Sequence, residues 1–324
     1  MYNFDELQLK VTQKIFDLQT VKEPAGLYEP IDYILNIGGK KLRPVLVLMA
    51  CNLFTDDIEK ATNTALAFEV FHNFTLMHDD LMDNSELRRN QPTVHKKWNA
   101  DTAVLSGDAM MIKSYELLLK TPENQLKEVI QLFNKTALEV CEGQQFDMEF
   151  ELRSDVSKVE YINMIRLKTA VLIAACLKTG AVVGQASSVN AEYLYEFGIN
   201  IGLAFQIQDD LLDVYADTEV FGKKTGNDII NNKKTFLLTK ANENAVGKNA
   251  EELNYWLNNN TAKSEKKIKA VTELYNKLGI KEKALKEMNM YHRNAVELLE
   301  KVGVEEDRKQ ILYEFTQKLL KRKK

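Results

Sequence analysis

Proline is confined to the first part of the chain, where it occurs at positions 24, 30, 44, 92 and 122. Proline lacks a backbone N–H and disrupts helix interiors, so the long proline-free remainder is typical of consecutive helices. Apolar residues recur at three- and four-residue steps through most of the chain, and no long alternating pattern predicts a strand. The sequence therefore predicts an all-α fold in which residues 1–324 form a single domain, a bundle of ten or more helices.

The composition limits the partners that such a chain can bind. Of its 324 residues, 45% are hydrophobic and 28% are charged, which is ordinary for a globular protein with a sizeable core. The formal net charge of −4 does not favour nucleic acid as a partner. No segment rich in Pro, Gly or Ser divides the chain, so the composition marks no domain boundary.

Three features predict a cytoplasmic location. Cys51, Cys141 and Cys176 are odd in number and lie in apolar helical sequence, which fits reduced, buried thiols better than disulfides. The N-terminal residues mix acidic and apolar side chains, and we expect no signal peptide. The longest apolar stretch, AVLIAACLKTGAVVG, contains Lys178 and is too short to span a bilayer, so we expect no integral membrane contact.

The apolar periodicity also places individual helices. Helices over 58–83 and 191–215 are predicted to be central, because apolar residues surround most of their circumference. Single helices are predicted over 123–151 and 156–180. A turn is predicted from Pro24 to Pro30, and the polar segment NSELRRNQPTVHKKW is predicted to be a loop.

Two aspartate motifs lie within the helices that are predicted to be central. The first aspartate motif is Asp79, Asp80 and Asp83, and the second aspartate motif is Asp209, Asp210 and Asp213. Residues three and four apart share one helix face, so the carboxylates of each motif would crowd together and repel one another unless a cation neutralised them. Oxygen-only ligands suit a hard cation such as Mg²⁺, which prefers to share its shell with water and phosphate oxygens.

The acidic residues admit two other interpretations. A single motif of this kind is more often an acidic helix end facing solvent, but both copies here are embedded in apolar sequence, FTLMHDDLM and FQIQDDLLD. Glu69 and His72 form one Glu-x-x-His, which is a di-iron signature. A di-iron site needs a second such pair and two further glutamates, and the sequence has no second pair.

Basic side chains accompany both motifs. They stand in GGKKLRP, in LRRNQ directly after the first motif, and in FGKKTGND and NNKK after the second; they are Lys40, Arg43, Arg88, Arg89, Lys223 and Lys233. The glycine pair of GGKKLRP lets the backbone approach a ligand closely. Arginine binds phosphate oxygens bidentately, and lysine serves as a compact point charge. A basic pair alone is an ordinary surface feature, and its placement beside an acidic motif favours a phosphate site.

Together these segments resemble the trans-isoprenyl diphosphate synthases, also called polyprenyl synthetases. The resemblance rests on DDLMD with its flanking LRR, on QDDLLD followed by GKKTGND, and on GGKKLRP, GQQFD and RLKTA in the same order. It covers residues 38 to about 235 and is most similar to short-chain geranylgeranyl and farnesyl diphosphate synthases. It implies a helical bundle of the isoprenoid synthase type around a central cavity. It also implies condensation of isopentenyl diphosphate with an allylic diphosphate, with three Mg²⁺ ions or Mn²⁺ in their place.

The resemblance implies roles for individual residues. The first aspartate motif would bind two Mg²⁺ ions on the allylic diphosphate, and Asp209 would hold a third, supported by Asp210 and Asp213. The same diphosphate would be bound by Arg88, Lys168, Lys223 and Lys233, and isopentenyl diphosphate by Gly39, Lys40, Arg43, His72 and Arg89. Thr169 and Gln206 would present oxygen dipoles to the allylic cation, with Gln144 and Asp147 behind them. Lys168, Thr169 and Gln206 are thus the predicted catalytic residues.

A mechanism follows from these roles. Mg²⁺ and the basic side chains stabilise the diphosphate as it leaves, and the double bond of isopentenyl diphosphate attacks the shielded allylic cation. A proton is then lost to the departing diphosphate, so no protein base is required. We therefore expect His78 and His95 to be structural.

The predicted floor of the chain pocket lies on the helix of the first aspartate motif. The growing tail would run past Thr75, Phe74, Phe71 and Phe68. In the family, a bulky residue five positions before the motif shortens the product, and Phe74 holds that position. The motif also lacks the two-residue insertion that is common in bacterial farnesyl enzymes. We therefore expect a twenty-carbon product, with fifteen carbons as the next choice.

Two other protein classes share this type of acidic motif. A class I terpene cyclase usually replaces the second motif, and a non-catalytic partner subunit usually loses one motif, whereas this chain has both. The family usually forms homodimers, and an apolar helix over 101–120 is a candidate interface. The terminal KRKK resembles basic tails that fold over the site in some members, and a solvated tail is an equal alternative.

Overall fold

The computed structural model describes residues 2–18, 22–216, 225–259 and 264–320. For residue 320 only the backbone is described. Most of the described residues are helical and the described strands are two residues long, so the prediction of an all-α fold is confirmed. In chain order the helices are α1 (Phe4–Asp17), α2 (Ala25–Asn36), α3 (Leu42–Phe54), α4 (Thr62–Met82), α5 (Val94–Lys97), α6 (Ala100–Leu118), α7 (Glu123–Glu151), α8 (Lys158–Ile165), α9 (Val171–Val183), α10 (Ser188–Tyr215), α11 (Asn227–Ile230), α12 (Phe236–Asn244), α13 (Lys248–Asn258), α14 (Ser264–Lys277), α15 (Ile280–Glu300) and α16 (Glu306–Leu320). A 3₁₀ turn (Glu59–Ala61), a π-helical segment (Arg166–Ala170) and two short strands, β1 (Leu87–Arg88) and β2 (Gln91–Pro92), complete the described elements.

The contacts group the chain into two compact units. Unit 1 comprises Met1–Asn134, Ala175–Tyr195 and Val302–Leu312, and unit 2 comprises Lys135–Ala174, Glu196–Lys301 and Tyr313–Lys324. The first aspartate motif belongs to unit 1 and the second to unit 2. The single domain over 1–324 stays a prediction. Within the described ranges, no helix combines the length and the apolar character that crossing a membrane requires.

The core of unit 1 is built around α3 and α4. Every residue of α3 from Pro44 to Leu53 is buried, as a helix that is apolar around almost all of its circumference requires. Helix α4 packs against α3 and α6 and buries Phe68 and Phe71 completely. This burial places α4 in the core of unit 1, as predicted for the helix over 58–83.

Proline and cysteine depart from the predictions. The predicted turn from Pro24 to Pro30 is wrong, because Pro30 lies inside α2. Proline at this position removes the hydrogen bond that a residue-30 N–H would donate, and its ring crowds the carbonyl four residues earlier, which together are a loss of helix stability. Ile31, Ile34 and Leu35 are all buried, and their burial outweighs that loss. The expectation of three buried thiols is also wrong for one of them, since Cys141 is exposed while Cys51 and Cys176 are buried.

A two-stranded ribbon and a π-helical segment occur where the sequence predicted a loop and a continuous helix. The segment predicted to be a polar loop contains the antiparallel ribbon of β1 and β2, in which Arg88 pairs with Gln91. The helix predicted over 156–180 is divided by the π-helical segment Arg166–Ala170. Such π segments recur at functional sites because they re-aim side chains within a helix.

Candidate active site

The first aspartate motif occupies the C-terminal end of α4. Helix α4 ends at Met82, and Asp83 is its C-cap. A helix C-terminus carries partial negative charge from its exposed carbonyls, so acidic side chains are destabilising there and a cation is stabilising. Asp79 and Asp83 lie four residues apart on one face, and Asp80 is buried. This end of α4 therefore favours a bound cation.

Arg88 fixes the orientation of Asp80. Its guanidinium binds both carboxylate oxygens, with Nε to Oδ2 at 2.6 Å and Nη2 to Oδ1 at 2.7 Å. The same Nη2 lies 3.8 Å from Oδ2 of Asp79. Arg88 thus stands beside two carboxylates of the motif, where it can also meet an anion that shares a cation with them.

The turn after Arg88 sends the next arginine to a different place. Arg89 and Asn90 both have positive φ, as the two central residues of a type I′ hairpin require. The Arg89 guanidinium donates to the carbonyl of Gly38 and lies against Gly39, where a Cβ would overlap it. Gly38 and Gly39 also have positive φ, a conformation that glycine adopts without strain. Arg89 and the glycine pair, predicted to share a substrate, are therefore in contact.

Arg43 and His72 are in contact as well. Arg43 Nη1 lies 3.0 Å from His72 Nε2. Burial, followed by the charge of Arg43, holds the pKa of His72 well below its usual value. Lys40, by contrast, is exposed, and its carbonyl accepts a hydrogen bond from Gln8 at 2.8 Å. Four of the five residues predicted to bind isopentenyl diphosphate thus form two direct pairs.

In unit 2, the second aspartate motif occupies the last turns of α10, again at a helix C-terminus. Asp210 is buried, and its Oδ2 accepts hydrogen bonds from the Tyr161 hydroxyl at 2.5 Å and from the Phe236 N–H at 2.8 Å. Burial raises the pKa of Asp210 to about 7 and that of Asp228 to about 6. A nearby cation would favour the ionised form of these carboxyls, as Lys233 already does in part.

A cavity of about 70 Å³ lies beside Asp210. Among the described residues of unit 2, the predicted catalytic and diphosphate-binding ones line it together, namely Lys168, Thr169, Gln206 and Lys233, with Asp147 and Asp210. Lys168 and Thr169 belong to the π-helical segment. Lys168 Nζ donates to Asp147 Oδ2 at 2.6 Å, which fixes the ammonium at the cavity wall.

The described carboxylates fit a metal ion that takes part of its coordination shell from water and phosphate oxygens. No three His, Cys, Asp or Glu side chains in the described part of the chain converge closely enough to hold an ion by themselves. One reason is that Asp80 is turned to Arg88 and Asp210 to Tyr161. Mg²⁺ keeps several waters and uses one or two carboxylates together with phosphate oxygens, so an all-oxygen, incomplete ligand set suits it.

The aromatic side chains of the predicted floor differ in exposure. Phe68 and Phe71 pack edge to face on Phe133, with ring centroids 5.5 and 5.0 Å apart. Phe74 is only half-buried and lies 5.7 Å from Phe71 and 4.7 Å from His78. Phe68 and Phe71 are therefore core residues here, and Phe74 is the ring of the three that a ligand can reach.

Some residues that contact the site were not predicted from the sequence, and some predicted residues lie outside the described ranges. Lys223 and the terminal KRKK lie outside the described residues. Tyr161, Lys41 and Phe133 were missed, because no local pattern distinguishes a buried tyrosine, lysine or phenylalanine that contacts a site from one that does not. Glu69 was noticed only as half of a metal signature, and its partner proved to be Lys41, at 3.3 Å.

Comparison with known proteins agrees with this geometry. The family model described as polyprenyl synthetase matches residues 24–275. A geranylgeranyl diphosphate synthase of Methanosarcina mazei is 41% identical over 73% of this chain and 74% of its own length. A geranylfarnesyl diphosphate synthase of Natronomonas pharaonis is 37% identical over 73% of this chain and 74% of its own length. A crystal structure of a geranylgeranyl pyrophosphate synthase superposes with a TM-score of 0.95 at 41% identity and covers all of both chains.

These likenesses define an all-α prenyltransferase of the isoprenoid synthase type. The chain belongs to the polyprenyl synthetase family and elongates prenyl diphosphates.

Proposed function

We propose that this chain condenses isopentenyl diphosphate head to tail with an allylic diphosphate and releases a twenty-carbon all-trans prenyl diphosphate. The observation that carries the proposal is the repeated arrangement of each aspartate motif. Each motif stands at a helix C-terminus with basic side chains beside it, Arg88 for the first and Lys233 for the second. A helix end of this kind suits a cation, and the cation with the basic side chains suits a diphosphate.

Mg²⁺ is the proposed cofactor, with three ions expected and Mn²⁺ as the alternative ion. Asp79, Asp80 and Asp83 would hold two ions and Asp209 the third, with Asp210 and Asp213 in support. Bound Mg²⁺ supplies Lewis-acid stabilisation of the negative charge on the leaving diphosphate.

The chain's own residues then bind, orient and shield. Arg88, Lys168 and Lys233 bind the allylic diphosphate, and the Lys168–Asp147 pair holds one of these cations in position. Thr169 and Gln206 direct oxygen dipoles at the carbon that becomes positive. Apolar walls exclude water from that carbon, and the departing diphosphate accepts the proton that is lost. Lys223 is proposed to assist in binding.

Product length is proposed from Phe74. The names of the two relatives denote twenty- and twenty-five-carbon products. The half-buried ring of Phe74, five residues before the motif, is the side chain that a growing tail meets first. Thr75 leaves little bulk beside it, and its hydroxyl is bonded to the His72 carbonyl at 2.8 Å. We do not extend the proposed floor to Phe68 and Phe71, which are packed on Phe133.

Phe74→Ala is expected to lengthen the product, because removing the ring opens space below the allylic tail. Chromatography of the dephosphorylated alcohols should show main products of twenty-five carbons or more. Phe16→Ala, which removes an exposed ring from α1, is the matched control and should leave the distribution unchanged. An unchanged distribution in Phe74→Ala would refute the floor without affecting the proposed reaction.

The reaction itself is tested with labelled isopentenyl diphosphate and five-, ten- or fifteen-carbon allylic diphosphates, with and without Mg²⁺. Label should enter all-trans products only when Mg²⁺ is present. Consumption of the allylic diphosphate without incorporation of label would favour the terpene cyclase alternative. Absence of turnover in folded protein would favour a partner subunit. A cytoplasmic location and the absence of a nucleic-acid partner stay predictions.

We also propose a homodimer formed through α6. One side of this helix exposes Leu105 (61%), Ile112 (64%) and, just after the helix, Leu119 (64%), which is an unusually apolar surface. Ile112→Glu is expected to shift the sedimentation coefficient towards that of a monomer. Leu152→Glu places the same charge on a leucine outside α6 that is 91% exposed and should sediment like the parent. Identical sedimentation of all three proteins would refute this interface.

A further inference from the structure

Glu69 and His72, which the sequence singled out as a Glu-x-x-His pair, contact Lys41 and Arg43 of the GGKKLRP segment. Lys41 Nζ lies 3.3 Å from Glu69 Oε1, and Arg43 Nη1 lies 3.0 Å from His72 Nε2. Lys41 and Glu69 are only 6% and 2% exposed. Two neighbouring side chains of α4 therefore hold two basic side chains at the start of α3.

The Arg43–His72 contact defines how the imidazole is protonated. A guanidinium has only donors, so His72 Nε2 must accept the hydrogen bond and the ring proton lies on Nδ1. His72 is then neutral and does not itself compensate the charge of Arg43. An arginine that is oriented by a neutral partner keeps its charge for an incoming anion.

Glu69 is the buried anion among these cations. Asn73 Nδ2 donates to its Oε1 at 3.0 Å and to its backbone carbonyl at 2.8 Å, which fixes the carboxylate. Burial lowers the pKa of Arg43 and of Arg89, and the charge of Glu69 counteracts that lowering in both. The Glu69 carboxylate contacts Lys41 and also offsets the charge repulsion between Arg43 and Arg89, although it contacts neither arginine.

Lys41 connects this carboxylate to the turn that carries the glycine pair. It has a positive φ of 48°, which is costly for a residue with a side chain. Its ammonium donates to the Leu35 carbonyl in the last turn of α2 at 2.7 Å while it faces Glu69. These two contacts hold the left-handed residue between Gly39 and Arg43 and so determine where both of them lie.

We propose that Glu69 is a positioning residue for isopentenyl diphosphate. Through Lys41 it fixes the glycine turn and the start of α3, and its charge allows Arg43 and Arg89 to stand close together as cations. It does not itself touch the substrate. The inference rests on the proposed function, in which Gly39, Arg43 and Arg89 bind isopentenyl diphosphate.

Glu69→Gln tests this role while keeping the shape of the side chain and an oxygen for Asn73. KM for isopentenyl diphosphate, and Kd for isopentenyl diphosphate alone by calorimetry, are expected to rise about tenfold or more, because a buried charge pair is broken. KM for the allylic diphosphate should stay within about twofold of the parent value, since the pair lies among residues assigned to the other substrate. Glu59→Gln removes an exposed carboxylate of the same unit and should match the parent.

A double variant keeps the test decisive if Glu69→Gln unfolds. Lys41→Met/Glu69→Gln removes both buried charges, so it should fold at least as well as either single variant. It should still bind isopentenyl diphosphate about tenfold or more weakly with the allylic KM little changed, because the tether to the turn is gone. Equal rises in both KM values, or a loss of stability with both KM values unchanged, would overturn the proposal. Failure of the parent and of Glu59→Gln to condense isopentenyl diphosphate would instead refute the proposed function.

Discussion

Asp79→Asn is expected to lower kcat/KM for condensation about 1000-fold, the largest effect of any single substitution considered for this chain. The substitution keeps the size of the side chain and removes one anionic oxygen from the C-terminal end of α4. A cation bound there would lose a ligand and a compensating charge at once. The loss should fall mainly on kcat, since stabilisation of the leaving diphosphate matters most in the transition state.

Stability should change little or improve in the same variant. Asp79 stands at a helix C-terminus, where a negative charge is destabilising without a bound cation. Its side chain is 24% exposed, so part of the new amide stays in contact with solvent. Thermal unfolding without Mg²⁺ should therefore show a Tm at or slightly above that of the parent.

The matched control is Glu86→Gln. Glu86 lies just after the motif and pairs with Lys96 at 2.9 Å, but its carboxylate is 76% exposed. An exposed ion pair contributes little to the free energy of unfolding, so Tm should stay near the parent value, and activity should not change either. If Asp79→Asn retains more than about a tenth of the parent activity at saturating Mg²⁺, this end of α4 is not the cation site.

Gly143→Ala is expected to lower kcat/KM about 100-fold or more, since displacement of catalytic groups by about 1 Å can have this effect. Gly143 is buried in α7, and a Cβ there would overlap the backbone of Lys168. Backbone cannot swing aside as a side chain can, so either α7 or the π-helical segment must move. Lys168 and Thr169 would then leave their places in the cavity wall.

The same overlap should also destabilise unit 2. Overpacking a tight contact costs about 1 to 3 kcal/mol, which denaturant unfolding at equilibrium can measure. Gly26→Ala is the matched control, because a Cβ at that helical position meets no atom within 4 Å. It should unfold at or above the parent denaturant concentration. Parent-like activity in Gly143→Ala would show that the π-helical segment need not be held in place.

Local sequence rules were sufficient where one helix face or one helix end determines the structure. The prediction of a helix over 123–151 matches α7, Glu123–Glu151, because its apolar periodicity is unbroken and Pro122 precedes it. The placement of the first aspartate motif at a helix end followed from the polar segment after Asp83. In both cases the signal lies within a few residues of the feature.

Features that depend on tertiary contacts were not predictable. The π-helical segment at Lys168 depends on close approach to Gly143 and, at Ala170, to Gly202, which are distant in sequence. Helix α2 continues through Pro30 because the burial of its apolar neighbours outweighs the cost of a proline inside the helix. The partner of Glu69 is Lys41, 28 residues earlier, and a Glu-x-x-His spacing alone points to a metal as readily as to an ion pair.

The most direct test of the central claim is the stoichiometry of one reaction. Purified protein would be given labelled isopentenyl diphosphate and fifteen-carbon allylic diphosphate in Mg²⁺, and released diphosphate would be counted against label in the prenyl product. Condensation predicts one diphosphate for each isopentenyl unit added, a twenty-carbon product, and loss of both signals when Mg²⁺ is chelated. Release of diphosphate with both substrates present but no label in a prenyl product would contradict the account.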